Sequence, residues 1–142
     1  MKSVLYLISF IGSGGAEKYI ISLVTGLRDK GFKFYLGVSK RTNNSFEKEL
    51  YDLGVEIVVL PIKKVYDIGA AIKISKFCKN NKIDVIHTHF LRENCVAVIS
   101  KMFGNKVYVI NTCHMSWENS FSVQILNRLI TRFNYKVISV SN

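Results

Sequence analysis

The chain has 142 residues, enough for one domain with its own core and little more. Its 49% apolar content and single proline exclude a disordered or collagen-like chain, and no apolar run approaches the ~20 residues that span a bilayer. Twenty basic against ten acidic residues leave a formal charge of +10. That excess suggests an anionic partner, but the basic residues are scattered and accompany no nucleic-acid-binding motif.

The elements alternate strictly. A near-continuous apolar run from Val4 to Ile11 reads as a strand buried on both faces. It stops at Gly12-Ser13-Gly14-Gly15, and Ala16, Tyr19, Ile20, Leu23, Val24 and Leu27 then mark one face of a helix. A second strand over 33–39 follows the Lys30-Gly31 stop. Asn44 caps a short helix, with Glu47 three residues on as in a capping box, and Gly54 ends it. Strand three runs from Val55 to Leu60. A third helix over 67–81 turns Ile68, Ala71, Ile72, Ser75 and Cys78 inward, and Asp84 to Thr88 forms strand four. A fourth helix over 92–103 buries Cys95, Val96, Ile99 and Phe103. Strand five covers 106–111, and the loop 112–119 holds His114. A fifth helix places Val123, Leu126, Ile130 and Phe133 inward, and strand six covers 136–140.

Strands recurring at roughly 25 to 30 residues imply a Rossmann-like three-layer α/β/α domain on a parallel sheet of about six strands, with right-handed crossovers. The expected order is 3-2-1-4-5-6. Ligands in such sheets sit beyond the carboxyl ends of the strands, where the winding reverses. That edge gathers the glycine turn, the loop after His87-Thr88-His89 and the loop with His114. Met1-Lys2 and the apolar run lack a small-residue cleavage site, and Cys78, Cys95 and Cys113 read as buried reduced thiols; both suggest a cytoplasmic protein.

A strand that runs through glycines into a helix aims free N–H groups and a partial positive charge at one spot, a natural anion site. No Gly-Lys-Ser/Thr closes a P-loop, and the dinucleotide fingerprint is incomplete because Glu17 stands at the third glycine. Lys40 and Arg41 after strand two keep an NADP reading open. His87 and His89 share a strand face, but with His114 they offer no recognised metal-ligand spacing, and we expect no metal site. His87 reads as a hydrogen-bonded core histidine, whereas His89, at the strand end, reaches the crevice. His114 is the better placed imidazole to donate to a sugar hydroxyl or to developing charge. Glu17 is placed to complement the helix dipole, and Trp117 and Phe121 are candidates to stack on a sugar, dip into lipid or pack over the sheet edge.

Gly14-Gly15-Ala16-Glu17 after strand one, Asp84-Val85-Ile86-His87-Thr88-His89 at strand four, and Thr112-x-His114 after strand five occur in that order. Val137-Ile138-Ser139-Val140-Ser141 closes the series. Together they resemble the N-terminal domain of the GT-B fold glycosyltransferases of family 4, the retaining "glycosyl transferase group 1" enzymes, over essentially the whole chain. The resemblance implies a nucleoside-diphosphate sugar donor, such as a UDP- or GDP-sugar, with no cofactor and no metal. It implies a glycan or lipid-linked acceptor in polysaccharide or cell-envelope biosynthesis, with the protein peripheral on the inner face of the plasma membrane. No nucleic acid is expected, and an anionic membrane surface fits the +10 charge. By the same resemblance His114 contacts the donor sugar as the catalytic residue. Gly14, Gly15, Ala16 and Glu17 bind donor diphosphate or acceptor, Thr112 belongs to the histidine loop, and His89 borders the acceptor cleft. Residues 1–142 are then expected to form the acceptor-side domain, lacking the second, donor-binding domain and inactive alone. A subunit completed by a separate donor-binding chain stays an alternative.

Overall fold

The computed structural model describes residues 1–9, 14–114 and 120–140, with only the backbone of His114. Six strands, β1 (Lys2–Ile8), β2 (Phe32–Val38), β3 (Glu56–Val59), β4 (Val85–Thr88), β5 (Tyr108–His114) and β6 (Lys136–Val140), form one sheet. The order is β3-β2-β1-β4-β5-β6, and every pairing is parallel. The connecting helices are α1 (Gly15–Leu27), α2 (Ser45–Asp52), α3 (Ile68–Asn80), α4 (Leu91–Ser100) and α5 (Phe121–Thr131). This is the expected order.

Strand β1 is central, and alternate residues feed two cores, as a pleat with helices on both sides requires. Val4, Tyr6 and Ile8 pack with Ala16, Ile20 and Val24 of α1 and with Phe46 and Leu50 of α2. Leu5 and Leu7 pack on the other side with Ala71, Ile74 and Cys78 of α3 and Val96 and Ala97 of α4. Each fully buried aliphatic side chain here contributes about 1.5–3 kcal/mol, and this two-sided burial holds the loops at the carboxyl edge in place. Helix α5 lies beside α4.

Several boundaries and faces differ from the sequence reading. Strand β1 ends at Ile8, and β5 continues through Thr112 to His114 because β6 pairs with its last residues, Thr112 with Ile138 and His114 with Val140. His114 is therefore a strand terminus, not a loop residue. Helix α3 is rotated from the expected face: Ala70, Ala71, Ile74, Ser75 and Cys78 are buried, while Ile68 and Ile72 are exposed. Small Ala70 and Ala71 let the helix approach the sheet closely. Helix α4 ends at Ser100 and tightens into a 3-10 turn, Lys101–Phe103, which leaves Phe103 exposed. Phe133 is exposed, and Cys113 is half-buried.

The cap of α2 is present in altered form. The Glu47 amide donates to Asn44 Oδ1 at 2.9 Å. The Glu47 carboxylate, buried to 1% exposure, turns back into the β2–α2 loop. There it accepts from Arg41 Nε at 2.7 Å, the Thr42 amide at 2.8 Å, Thr42 Oγ1 at 2.9 Å and the Asn43 amide at 3.3 Å. Burial alone would raise its pKa, but the Thr42 amide, the Arg41 guanidinium and the remaining donors outweigh burial and lower it. The stability this group adds is present above the unfolded carboxylate value of about 4.3 and is lost as pH falls through the lower folded value. Glu47→Gln is expected to cost about 1–3 kcal/mol at neutral pH. Urea unfolding should show that difference shrinking in strong acid, where the wild-type carboxylate is itself protonated. A gap unchanged with pH would contradict the charged role.

Candidate active site

The winding reverses between β1 and β4, and their carboxyl ends frame a crevice. The chain leaves β1 at Ser9, whose amide donates to Glu93 Oε1 at 3.0 Å. Gly12, in the expected glycine turn, lies outside the described residues. Gly14 caps α1 at φ 73°, ψ −35°, a region that favours glycine. Its carbonyl accepts from the Lys18 amide at 3.2 Å, and no described side chain caps the helix. Among the described residues no side chain engages the first-turn amides, which lie at the positive end of the helix dipole. At Gly15 the φ is ordinary, and a Cβ would meet no described atom within 4 Å. Neither conformation nor packing among the described residues asks for glycine there, although glycine weakens a helix by roughly 0.5–1 kcal/mol relative to alanine. Room for a ligand in front of the amides would account for it. Ala16 is buried, so it presents only its backbone at this edge. Glu17 sits in the first turn, and its buried Oε1 has no hydrogen-bond partner among the described residues.

Behind this turn lies a stack of rings. The sheet register sets Tyr6, His87 and Ile110 abreast. The rings of His87 and His89 stack at 4.7 Å between centroids. Tyr6 lies 5.4 Å from His87, and Tyr19 of α1 meets the two imidazoles edge-on at 6.2 and 5.8 Å. His87 Nε2 and Thr112 Oγ1 are 2.7 Å apart. Burial, then the neighbouring Tyr19, raises the pKa of Tyr6 and keeps its phenol neutral. His87 is the hydrogen-bonded core histidine that the sequence suggests. His89, expected at the crevice, is only 2% exposed, and Thr112 is fully buried with its hydroxyl bonded to His87. These two residues sit in the wall behind the crevice. The backbone of His114 ends β5 at the same edge; its side chain and Trp117 lie outside the described residues.

A second cluster at this edge has no counterpart in the sequence reading. Glu93, Asn94, Thr88 and Asn111 are all buried. The Thr88 hydroxyl donates to Asn111 Oδ1 at 3.0 Å, and Glu93 ties the end of β1 to the first turn of α4 through Ser9. Among the described residues, Glu93 Oε2 and Asn94 Nδ2 have no hydrogen-bond partner. Such orphaned groups cost about 1–3 kcal/mol each and call for a specific explanation, ligand binding being one. The available signal was three adjacent polar residues, Arg92-Glu93-Asn94, in the first turn of an otherwise apolar helix just after a strand end.

Other candidates fall away from the crevice. Arg41 is held by Glu47, so it is not poised as the free cation that an NADP phosphate would need. Burial pushes the Cys78 thiol up to about 12, and burial with the nearby Glu93 charge pushes Cys95 up to about 11, which keeps both as unreactive thiols. Phe121, at the start of α5, is exposed.

The profile of Glycosyltransferase Family 4 matches residues 13–142. The chain is similar to the capsular polysaccharide biosynthesis glycosyltransferase CapH of Staphylococcus aureus, at 26% identity over 100% of this chain and 41% of that protein. It is 30% identical to the N-acetylgalactosamine-N,N'-diacetylbacillosaminyl-diphospho-undecaprenol 4-alpha-N-acetylgalactosaminyltransferase of Campylobacter jejuni, over 87% of this chain and 34% of that protein. The chain thus spans between 34% and 41% of the length of these relatives. In fold it matches the crystal structure of a glycosyltransferase from Rickettsia africae with a TM-score of 0.79, at 18% identity over 99% of this chain and 37% of that one. It also matches Anabaena HepE in complex with UDP and glucose with a TM-score of 0.71, at 17% identity over 96% and 37%.

Proposed function

The chain belongs to Glycosyltransferase Family 4, and we propose that it forms the acceptor-side half of a sugar-transfer site that retains anomeric configuration and uses no metal. One observation carries this reading. Among the described residues nothing caps the first-turn amides of helix α1 or approaches the Cβ position of Gly15, and this turn lies at the crevice where β1, β4 and β5 end. Amides at a helix N-terminus can steady a leaving diphosphate, and Glu17 Oε1 can accept from a sugar hydroxyl. His114 would donate to a hydroxyl of the donor sugar while the bond between the anomeric carbon and the diphosphate breaks. The diphosphate would leave with the bonding electrons and take the proton of the acceptor hydroxyl, whose oxygen forms the new bond on the same face. The buried stack of His87 and His89, with Thr112 bonded to His87, would hold β4 and β5 in register behind it. Catalysis of this kind is positional and electrostatic. The donor-binding half would come from a second domain.

The proposed donor is a UDP- or GDP-sugar; a neighbour in fold, the HepE structure, holds UDP and glucose. The proposed acceptor is a lipid-linked or cell-surface glycan, a class suggested by the diphospho-undecaprenol in the Campylobacter relative's name and the capsule in the Staphylococcus one. No helix among the described residues is long and apolar enough to cross a membrane. A chain of charge +10 suits peripheral attachment to the anionic cytoplasmic face, at about 1 kcal/mol per well-placed basic residue. The test is transfer by the natural full-length protein from UDP- and GDP-sugars to a polyprenyl-diphosphate-linked glycan in the presence of a chelator. We expect product with retained anomeric configuration, and negligible turnover by residues 1–142 alone. Inversion, an absolute need for divalent metal, or robust turnover by the 142-residue chain would contradict the reading.

A further inference from the structure

Helix α5 carries apolar residues on both sides. Toward the protein it presents Val123, Leu126 and Ile130, each only half-buried. On the other side Phe121 is 77% exposed, Ile125 45% and Leu129 51%. Four-residue spacing places these three in one row. Arg128 and Arg132, both exposed, flank the row, and no acidic residue occurs between Ser120 and Val140. Helix α1 shows the contrast, since its exposed positions are Gly15, Lys18, Ser22, Thr25 and Gly26.

We propose that this outward face of α5 lies on an anionic lipid surface. Phe121, Ile125 and Leu129 would enter the boundary between headgroups and acyl chains, while Arg128 and Arg132 bind lipid phosphates. The inference rests on the peripheral-membrane reading above and adds which surface makes the contact. Charge decides between lipid and protein. Two guanidiniums on long apolar stems can lie beside a buried row and keep their charge at the phosphate level. A protein partner would have to bring carboxylates to both. Geometry agrees: α5 starts from the carboxyl edge of the sheet, so Phe121 stands on the crevice side. A lipid-linked acceptor would then enter the site from the surface on which the helix rests.

Co-sedimentation of the 142-residue chain with phosphatidylcholine vesicles, with and without about one-third phosphatidylglycerol, tests this. The wild type should bind the anionic vesicles and lose that binding at high salt. Phe121→Ser with Ile125→Ser, and separately Arg128→Gln with Arg132→Gln, should each lower the partition coefficient at least tenfold with unchanged circular dichroism. Tyr51→Ser, at an exposed aromatic residue on α2, should change nothing. Wild-type binding that survives both α5 variants would overturn the α5 assignment and leave the membrane reading standing. No binding by the wild type would overturn both. A wild-type dimer in light scattering that the Phe121→Ser, Ile125→Ser pair dissolves would assign the face to a second copy instead.

Discussion

Replacing His114 by alanine, in the chain joined to the donor-binding half proposed above, is expected to lower kcat/KM by about 10²–10³-fold while the Tm stays close to wild type. The magnitude is that of losing one preorganised hydrogen bond that positions the reacting sugar. The stability half follows from the fold. His114 is the last residue of β5, and its ladder contact with Val140 is made by the backbone, which alanine preserves. A structural imidazole would behave in the opposite way, with Tm falling and turnover falling only as far as the folded fraction does. His114→Gln, which keeps an N–H donor, should recover part of the lost rate. Initial-rate kinetics beside thermal denaturation separate the two cases, and unchanged turnover in the alanine variant would remove His114 from the site.

The second large effect is expected at Gly15. Valine there should lower kcat/KM by about 10²-fold, the scale of a roughly 1 Å misplacement of reacting groups, and leave the Tm nearly unchanged. Alanine should leave the Tm at or slightly above wild type while still reducing transfer. Stability and activity part company because the two demands on this residue are independent. Folding meets an ordinary φ and open space at its Cβ among the described residues, whereas a ligand seated on the α1 amides would meet the new methyl groups. Gly14 differs, since at φ 73° alanine would cost about 1–2 kcal/mol in backbone strain. Full activity in Gly15→Val would mean that nothing approaches this turn.

The sheet order was legible because alternating strand and helix patterns leave few parallel topologies with right-handed crossovers. What escaped was whatever a second element decides. The inward face of α3 could not be told from sequence, because Ala70, Ala71 and Ile72 are all apolar and only packing on the sheet selects the first two. Helix α5 is apolar on two sides, so periodicity could not say which one the protein covers. The two-residue spacing set His87 and His89 on one face, but His89 is buried, with Tyr19, far away in sequence on α1, meeting its ring edge-on. The buried cluster joins Ser9 to Glu93 and Thr88 to Asn111, contacts that exist only once β1, β4 and β5 lie side by side. The polar start of α4 was the only local sign of it, and it could not show which strand ends would meet there.

We propose that the glycine turn at α1 receives the nucleotide sugar. The most direct test is titration of the full-length protein, labelled with ¹⁵N at glycine, with a UDP-sugar while following the amide resonances. The account predicts that the Gly14 and Gly15 amides shift in a saturable manner, at the donor concentrations that saturate transfer. Saturable binding that leaves both amides unmoved, with the shifts confined to glycines elsewhere, would contradict it.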